Sequence, residues 1–334
     1  MPTALAIPVF LASLVVTLQA ASVFARRLDR IGLRLGLPET ILGILTALAA
    51  DAPELSSAIA ALVEGAHGVA VGVVVGSSAF NLAAMIGLSA ILAGSVTLRR
   101  EALALEGFVG LWVTCVVAAH AAGWLGTSPT LALLGVVLVP YVALLALGPR
   151  GGARLRLPRP VALVVRRTFG EGHRAAEPHP SHAEAVTTTT LVLLVALAII
   201  VAGSAGMVST AIGLGDRWSV PRELVGVLVL AVLTSIPNAF TAVRLGLQGR
   251  GSALTSETMN SNSINLVAGV AIPALFVNTA AATGLVAFDL AWLVVMTLVA
   301  LALLARRAGM NRPGGWVLVS LYLVFAAVQI AARA

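Results

Sequence analysis

The chain contains no lysine: all 21 of its basic residues are arginine, set against 14 acidic ones. Charged side chains of either sign make up only 10% of 334 residues, while 59% are hydrophobic. So little polar surface excludes a water-soluble domain of this length, and a mean hydropathy of +1.01 makes lipid the solvent for much of the chain. The single cysteine, Cys115, excludes an intrachain disulfide framework. Lying in an apolar run, it reads as a small buried hydrophobe. No nucleophile stands beside a base, and there is no phosphate loop or nucleotide motif. The sequence therefore argues against an enzyme and against ATP as energy source. The first apolar run has neither a cationic start nor a small-residue cleavage site, so it is expected to be a span and not a removable signal.

Apolar runs of about twenty residues predict ten spans, near 4–24, 37–63, 67–93, 103–123, 128–148, 187–208, 221–247, 252–277, 285–305 and 314–332. The net charge of +7 is not a nucleic-acid footprint, because its location sorts by side. Eighteen of the arginines fall in alternate loops: Arg26, Arg27, Arg30 and Arg34; Arg99 and Arg100; seven within 150–174; Arg244 and Arg250; Arg306, Arg307 and Arg312. This bias puts both termini outside and the long central loop in the cytoplasm of a multi-pass plasma-membrane protein. The use of arginine alone reads as base composition, not chemistry.

The clearest break is 149–186, rich in Arg, Pro and Gly, which divides the chain into 1–148 and 187–334. Five spans on each side is an odd number, so the second half must run upside down relative to the first. The expected fold is all-α, with ten transmembrane helices as two inverted five-helix repeats. His179 and His182, beside Glu177 and Glu184, leave a weak metal-binding alternative to a solvated linker.

Within each half the second and third spans carry an unusual polar pattern. Asp51-Ala-Pro-Glu54 is followed one helix later by Gly76-Ser-Ser-Ala-Phe-Asn81. Ser235-Ile-Pro-Asn238 is followed by Asn260-Ser-Asn-Ser-Ile-Asn265. An offset of 184 superposes Pro53 on Pro237, Glu54 on Asn238, Gly65 on Gly249, Ser77 on Ser261 and Asn81 on Asn265. Pro53 and Pro237 are expected to break their helices and free the carbonyls of Ala49 and Leu233. Glu54 lies near the middle of its span, where a carboxylate costs about 2.5–3.5 kcal/mol on insertion scales. Asp51 projects from nearly the same face. Two carboxylates so close in a low dielectric repel, so a cation or a proton should be shared between them. Ser77, Asn81, Thr234, Ser235, Asn238, Ser261 and Asn265 offer hydroxyl and amide oxygens, hard ligands suited to sodium, calcium or magnesium. The same side chains could instead join helices by hydrogen bonds. Glu257 is placed near an entrance or at the headgroups. Glu101, Glu106 and Asp289 are expected at span ends, in the interface, and His67 and His120 are given no role.

The pattern Pro53-Glu54 with Gly76-Ser77-Ser78-Ala79-Phe80-Asn81, and its relative in the second half, resembles the sodium/calcium exchanger family of the cation/calcium exchanger superfamily. Gly72 also matches. Where that family has Thr-Ser, this chain has Ala50-Asp51, and Val73 and Ser78 replace two asparagines. In the second repeat Thr234-Ser235, Pro237 and Ser261-Asn262 match. The expected glutamate is Asn238, the expected aspartate or asparagine is Asn265, and the expected Gly-Asn is Ser256-Glu257. The resemblance implies ten spans, outward termini and a secondary-active cation antiporter working by alternating access, with spans one and six moving against the rest. It implies a mid-membrane site built on Asp51 and Glu54 as the charged metal ligands, with the seven neutral residues above. Of the family's two opposed glutamates only Glu54 remains, and Asp51 is positioned to supply a second charge from the same helix. Calcium, sodium and protons are the expected transported cations, with no cofactor, no nucleotide and no nucleic acid. A cation/proton or monovalent-cation exchanger, or a non-transporting cation sensor on the same scaffold, stays open.

Overall fold

The computed structural model describes residues 3–34, 45, 47–98, 100–147, 186–275 and 284–333. The chain is nearly all helical there. In order come α1 (Thr3–Arg34), α2 (Ala52–Val63), α3 (His67–Ala93), α4 (Arg100–Ala121), α5 (Thr127–Leu147), α6 (Val186–Arg217), α7 (Arg222–Leu247), α8 (Gly251–Leu266), α9 (Gly284–Leu304) and α10 (Arg312–Arg333). Eight of these contain stretches long and apolar enough to cross a membrane. The exceptions carry the polar motifs: α2 has only 12 described residues, and α8 is dense in Ser, Thr and Asn. The linker expected at 149–186 falls almost wholly outside the described residues, as do Pro38 and the histidines of that linker.

Burial sorts the helices into an inner and an outer set. Of the apolar window in α3, 89% is buried, against 28% in α1, α5 and α6. Leu11, Val15, Val139, Val142, Leu191 and Leu194 point outward on the outer helices, as lipid-facing side chains do. Cys115 belongs with them: it is exposed on α4, so its reading as buried is corrected. In an apolar span the outward face is as apolar as the core, and hydropathy alone does not tell the two apart.

Small residues let α3 and α7 approach backbone to backbone. A Cβ added at Gly72 would lie 3.0 Å from the Val227 nitrogen, and one at Gly76 would overlap the Val227 carbonyl. One helix thus seats in the other, a packing mode membrane interfaces use because lipid supplies no hydrophobic drive between helices. The α1–α6 pair is made the same way, with Gly203 and Gly206 against Thr17 and Ser13.

The two halves repeat one turn. Between α2 and α3, Glu64, Gly65 and Ala66 donate their amides to the carbonyls of Ala60, Leu62 and Ala61. Between α7 and α8, Gln248, Gly249 and Arg250 donate to Arg244, Gly246 and Leu245, each partner 184 residues on. Gly65 has φ +72° and Gly249 φ +71°, a left-handed backbone that glycine takes without a Cβ penalty.

The connections gather at two ends. At one, Ser95 and Val96 (β1) pair antiparallel with Asn311 and Met310 (β2), and Gly251 packs on Thr97. Arg312 Nε also donates to the Ile91 carbonyl at 3.1 Å. At the other, Arg217 reaches Thr3 at 3.1 Å, and Gly68 meets Glu223. The segments bearing Arg100, Arg250 and Arg312, which the arginine count groups on one side, do lie together.

Candidate functional site

The helix bearing Asp51 and Glu54 is interrupted where they stand. Residues 47–50 are helical, Asp51 is a turn residue, and α2 restarts at Ala52 with Pro53 in its first turn. Proline is tolerated there because first-turn amides have no intrahelical acceptor. Glu54 is consequently in the first turn of α2, where the positive end of the helix dipole offsets a buried negative charge. Pro237 behaves differently: it lies inside α7, which runs on through it. The expectation of a break there is corrected. A proline deletes one donor only, and the remaining ladder carries the helix past it.

Asp51 and Glu54 are both buried, at 0% and 1% exposure, and three side chains from the other half of the chain converge on them. Ser235 Oγ donates to Glu54 Oε1 at 2.7 Å, and Ser261 Oγ donates to Asp51 Oδ1 at 2.7 Å. The Asn238 amide donates to Asp51 Oδ1 at 2.9 Å and to Glu54 Oε1 at 3.4 Å. Under the 184-residue offset the Asn238–Asp51 and Ser235–Glu54 bonds are images of each other, which is why they cross at the centre. A second layer follows. Asn81 Nδ2 donates to Ser261 Oγ at 3.2 Å and to Asn262 Oδ1 at 3.3 Å, and Asn262 Nδ2 donates to the Ser78 carbonyl at 3.0 Å.

Each carboxylate spends one oxygen on these bonds. The others, Asp51 Oδ2 and Glu54 Oε2, are buried without a hydrogen-bond partner, and so are Asn81 Oδ1 and Asn265 Oδ1. A buried unpaired acceptor costs about 1–3 kcal/mol, more when charged. Four such oxygens from α2, α3 and α8 are the chemistry that accommodates a hard cation. Among the described residues no group of three acidic, His or Cys side chains is placed to hold a metal ion. Asp51 and Glu54 are the charged members of this network, with Glu257 of α8 near enough to interact electrostatically with Asp51, and neutral oxygens must complete any ligand set. Thr234 and Ser77 give their protons to carbonyls of their own helices: Thr234 to Leu230 at 2.8 Å, and Ser77 to Val73. Each hydroxyl thereby keeps its lone pairs. Asn265 is buried with both amide atoms unpartnered.

Of the sequence-derived set, then, Asp51, Glu54, Asn81, Ser235, Asn238 and Ser261 form one hydrogen-bonded network. Ser77, Thr234 and Asn265 are buried without joining it. Asn262 is a member that sequence reasoning left out, although the offset of 184 already paired it with Ser78, whose carbonyl it bonds. Three π-helical stretches were also not foreseen: Leu82–Leu88 directly after Asn81, Val225–Leu230 ahead of Thr234, and Val267–Ala271 directly after Leu266 and so just past Asn265. Such wide turns cluster at functional positions, and no composition signal marks them. Glu106 and Asp289 are both covered by neighbouring helices. Glu106 is 6% exposed and accepts from Ser256 Oγ at 2.7 Å, while Asp289 is 3% exposed and accepts from Gln329. Both stand near the starts of their helices, and their burial is the part that the sequence did not foretell.

Comparison with known proteins agrees with this architecture. The family model described as "Sodium/calcium exchanger protein" matches residues 5–148 and 188–331, one segment in each half. The sodium/calcium exchanger MaX1 of Methanosarcina acetivorans is 23% identical over 344 aligned positions, covering 96% of this chain and 97% of that protein. Sodium/potassium/calcium exchanger 2 of Mus musculus is 26% identical over 124 residues, which is 35% of this chain but only 19% of its own length. Among solved structures, the sodium-calcium exchanger NCX_Mj soaked with sodium and strontium superposes with a TM-score of 0.61 at 19% identity, over 98% of this chain and 99% of that one. Native YfkE does so with 0.63 at 17% identity, over 95% and 90%. The sodium/calcium exchangers among these are membrane transporters and not enzymes, and on the match to both halves the chain belongs to the sodium/calcium exchanger protein family.

Proposed function

We propose that this protein is a secondary-active antiporter that exchanges calcium for sodium or protons at a mid-membrane site among α2, α3, α7 and α8. The observation that carries the reading is the Asn238 amide shared by Asp51 and Glu54, with one oxygen of each carboxylate left buried and unpartnered. A divalent ion in a low dielectric needs about two compensating charges. Asn238 stands where a second glutamate is expected from the family pattern, and Asp51 brings the missing charge to the same amide from the helix that bears Glu54. Asn81 and Asn265 would add amide oxygens, and Ser77, Thr234, Ser235 and Ser261 hydroxyl oxygens.

The two halves form inverted repeats of five spans each, 1–148 and 187–334, related by an axis in the membrane plane, with both termini outside. Matching turns at Gly65 and Gly249 support this arrangement. Access alternates as α1 and α6, packed on each other through Gly203 and Gly206, move against the inner helices. The test is a cation screen in proteoliposomes under imposed sodium and proton gradients. Calcium uptake driven by either gradient is expected. Cation binding without flux under any gradient would make the protein a sensor on a transporter scaffold, and uptake of monovalent ions alone would remove calcium from the reading.

A further inference from the structure

Three buried carboxylates in this protein share one local arrangement. Asp51 accepts from Ser261, Glu54 from Ser235 and Glu106 from Ser256, each at 2.7 Å, and each leaves its second oxygen buried without a partner. The first two form the central site. Glu106 is on its own, on α4, against the opposite face of α8. Four hydroxyls of α8 divide accordingly, while Thr255 Oγ1 is buried without a partner. Thr258 and Ser263 give their protons to their own helix, to the carbonyls of Leu254 and Met259. Ser256 and Ser261 reach across to a carboxylate instead.

We propose that Glu106 and Ser256 form a second cation site, on the seam between α4 and α8, that takes a single proton. One carboxylate offers one charge, and Glu106 Oε2 has no hydrogen-bond partner among the described residues. A metal ion would need a shell of oxygens there; a proton needs a single basic atom. The surroundings are otherwise closed by apolar packing, with Leu301 of α9 on Gly107 and Met259 of α8 on Gly110. The titratable and charged groups nearby are few. From α5 comes Tyr141, whose hydroxyl donates to Asn260 at 2.9 Å. On α8 Glu257 follows Ser256, but its electrostatic partners are Asp51 and Arg250, and on α4 itself Glu101 lies just over one turn earlier. Asp289 of α9 is about three turns from Leu301 and bonded to Gln329. The π segment Val267–Ala271 carries no titratable side chain.

The proton comes from water and goes to Oε1, so the direction of the bond reverses. Ionised, Glu106 accepts from Ser256 in a charge-assisted bond. Protonated, it donates to Ser256 Oγ, whose own hydrogen turns to the carbonyl of Ser252 as its neighbours' do. The α4–α8 seam then holds by a weaker neutral bond. Because α8 also carries Ser261 and Asn265, loosening it misaims the ligands of the central site, and protonation of Glu106 lowers cation affinity there. This last step rests on the proposed function above; the existence of the proton site does not.

The experiment is infrared difference titration of the purified protein across a pH series, paired with calcium uptake in proteoliposomes. A protonated-carboxyl band is expected in the wild type and missing in Glu106→Gln, and it should persist when sodium is varied at constant pH. On acidification the apparent calcium affinity of the wild type should fall by about fivefold more than that of Glu106→Gln, the low end of ordinary coupling between sites. Ser256→Ala should shift the band by removing its hydrogen bond, which tests the site even where Glu106→Gln does not fold. A band that is the same in both variants and the wild type overturns the proposal, and so does a band that sodium titrates away. Loss of all cation flux with the band intact strikes the antiporter reading and not the proton site.

Discussion

Asn238 lies nearer to Asp51 than to Glu54, its own counterpart in the repeat: its amide donates at 2.9 Å to the first and 3.4 Å to the second. The crossing places one donor between two carboxylates and ties α7 to the interrupted start of α2. It also makes the two acids inequivalent. Asp51 is held by Asn238 and Ser261, so α7 and α8 both act on it, whereas both of Glu54's bonds come from α7.

Glu54→Gln is expected to abolish calcium exchange in a protein that still folds. The amide keeps the shape and can still accept from Ser235, but half the charge of the centre is gone. Removing one member of a buried charge set costs about 3 kcal/mol or more, a drop of about 100-fold in cation affinity. Calcium binding by calorimetry, alongside size-exclusion of the variant, checks it. Undiminished affinity in a monodisperse variant would show that Glu54 is outside the ligand set.

Much of this centre was legible in the sequence because lipid makes polarity conspicuous. Asp51, Glu54, Asn81 and Asn238 stand out in runs of Ala, Val and Leu, and the 184-residue offset alone sorts them into partners. Direction was not legible. Pro53 and Pro237 occupy equivalent positions, yet α2 restarts at the first and α7 continues through the second. The burial of Glu106 was not legible, because hydropathy measures distance along a helix and not which neighbour covers it. Cys115 faces outward for the same reason. The π turns beside Asn81 and Asn265 leave no trace in residue types.

The inverted relation of the halves is open to direct test. In a Cys115→Ala background, cysteines placed at Glu64 and at Gln248, both exposed, occupy corresponding positions of the two matching turns. An impermeant thiol reagent should label them from opposite faces of sealed vesicles. Labelling of both from one face would mean that the halves run parallel, and the odd span count per half would need revision.

Gly76→Ala should damage assembly and not selectivity. The added methyl would fall on the Val227 carbonyl and within 2.8 Å of the Ala231 Cβ, and neither backbone nor a helical Ala can move aside cheaply. Overpacking of this kind costs about 1–3 kcal/mol. Lower thermal stability in detergent is expected, with calcium affinity retained in the fraction that folds. A variant as stable as the wild type would show that the α3–α7 contact is looser than its geometry implies.

The sharpest test concerns Asp51. Its carboxylate reads as the second charge of the centre, moved from α7 to the start of α2, with Asn238 left to hold the two acids together. Asp51→Ser should lower calcium affinity by about 100-fold, since a divalent ion would face one carboxylate in a low dielectric. It should spare monovalent binding, for which one charge suffices. It should also flatten the dependence of transport on pH, because protons and cations compete for the same oxygens and one set is removed. Asn238→Glu alone adds a third acid to a centre built for two, and should bind calcium poorly unless the pH is lowered. The double variant, Asp51→Ser with Asn238→Glu, restores two charges on opposite helices and should recover calcium uptake to within about tenfold of the wild type. Non-additivity is the decisive reading: each single change is harmful, and together they are mild. If the double variant is no better than the worse single one, or if Asp51→Ser leaves calcium affinity unchanged, Asp51 does not carry the missing charge.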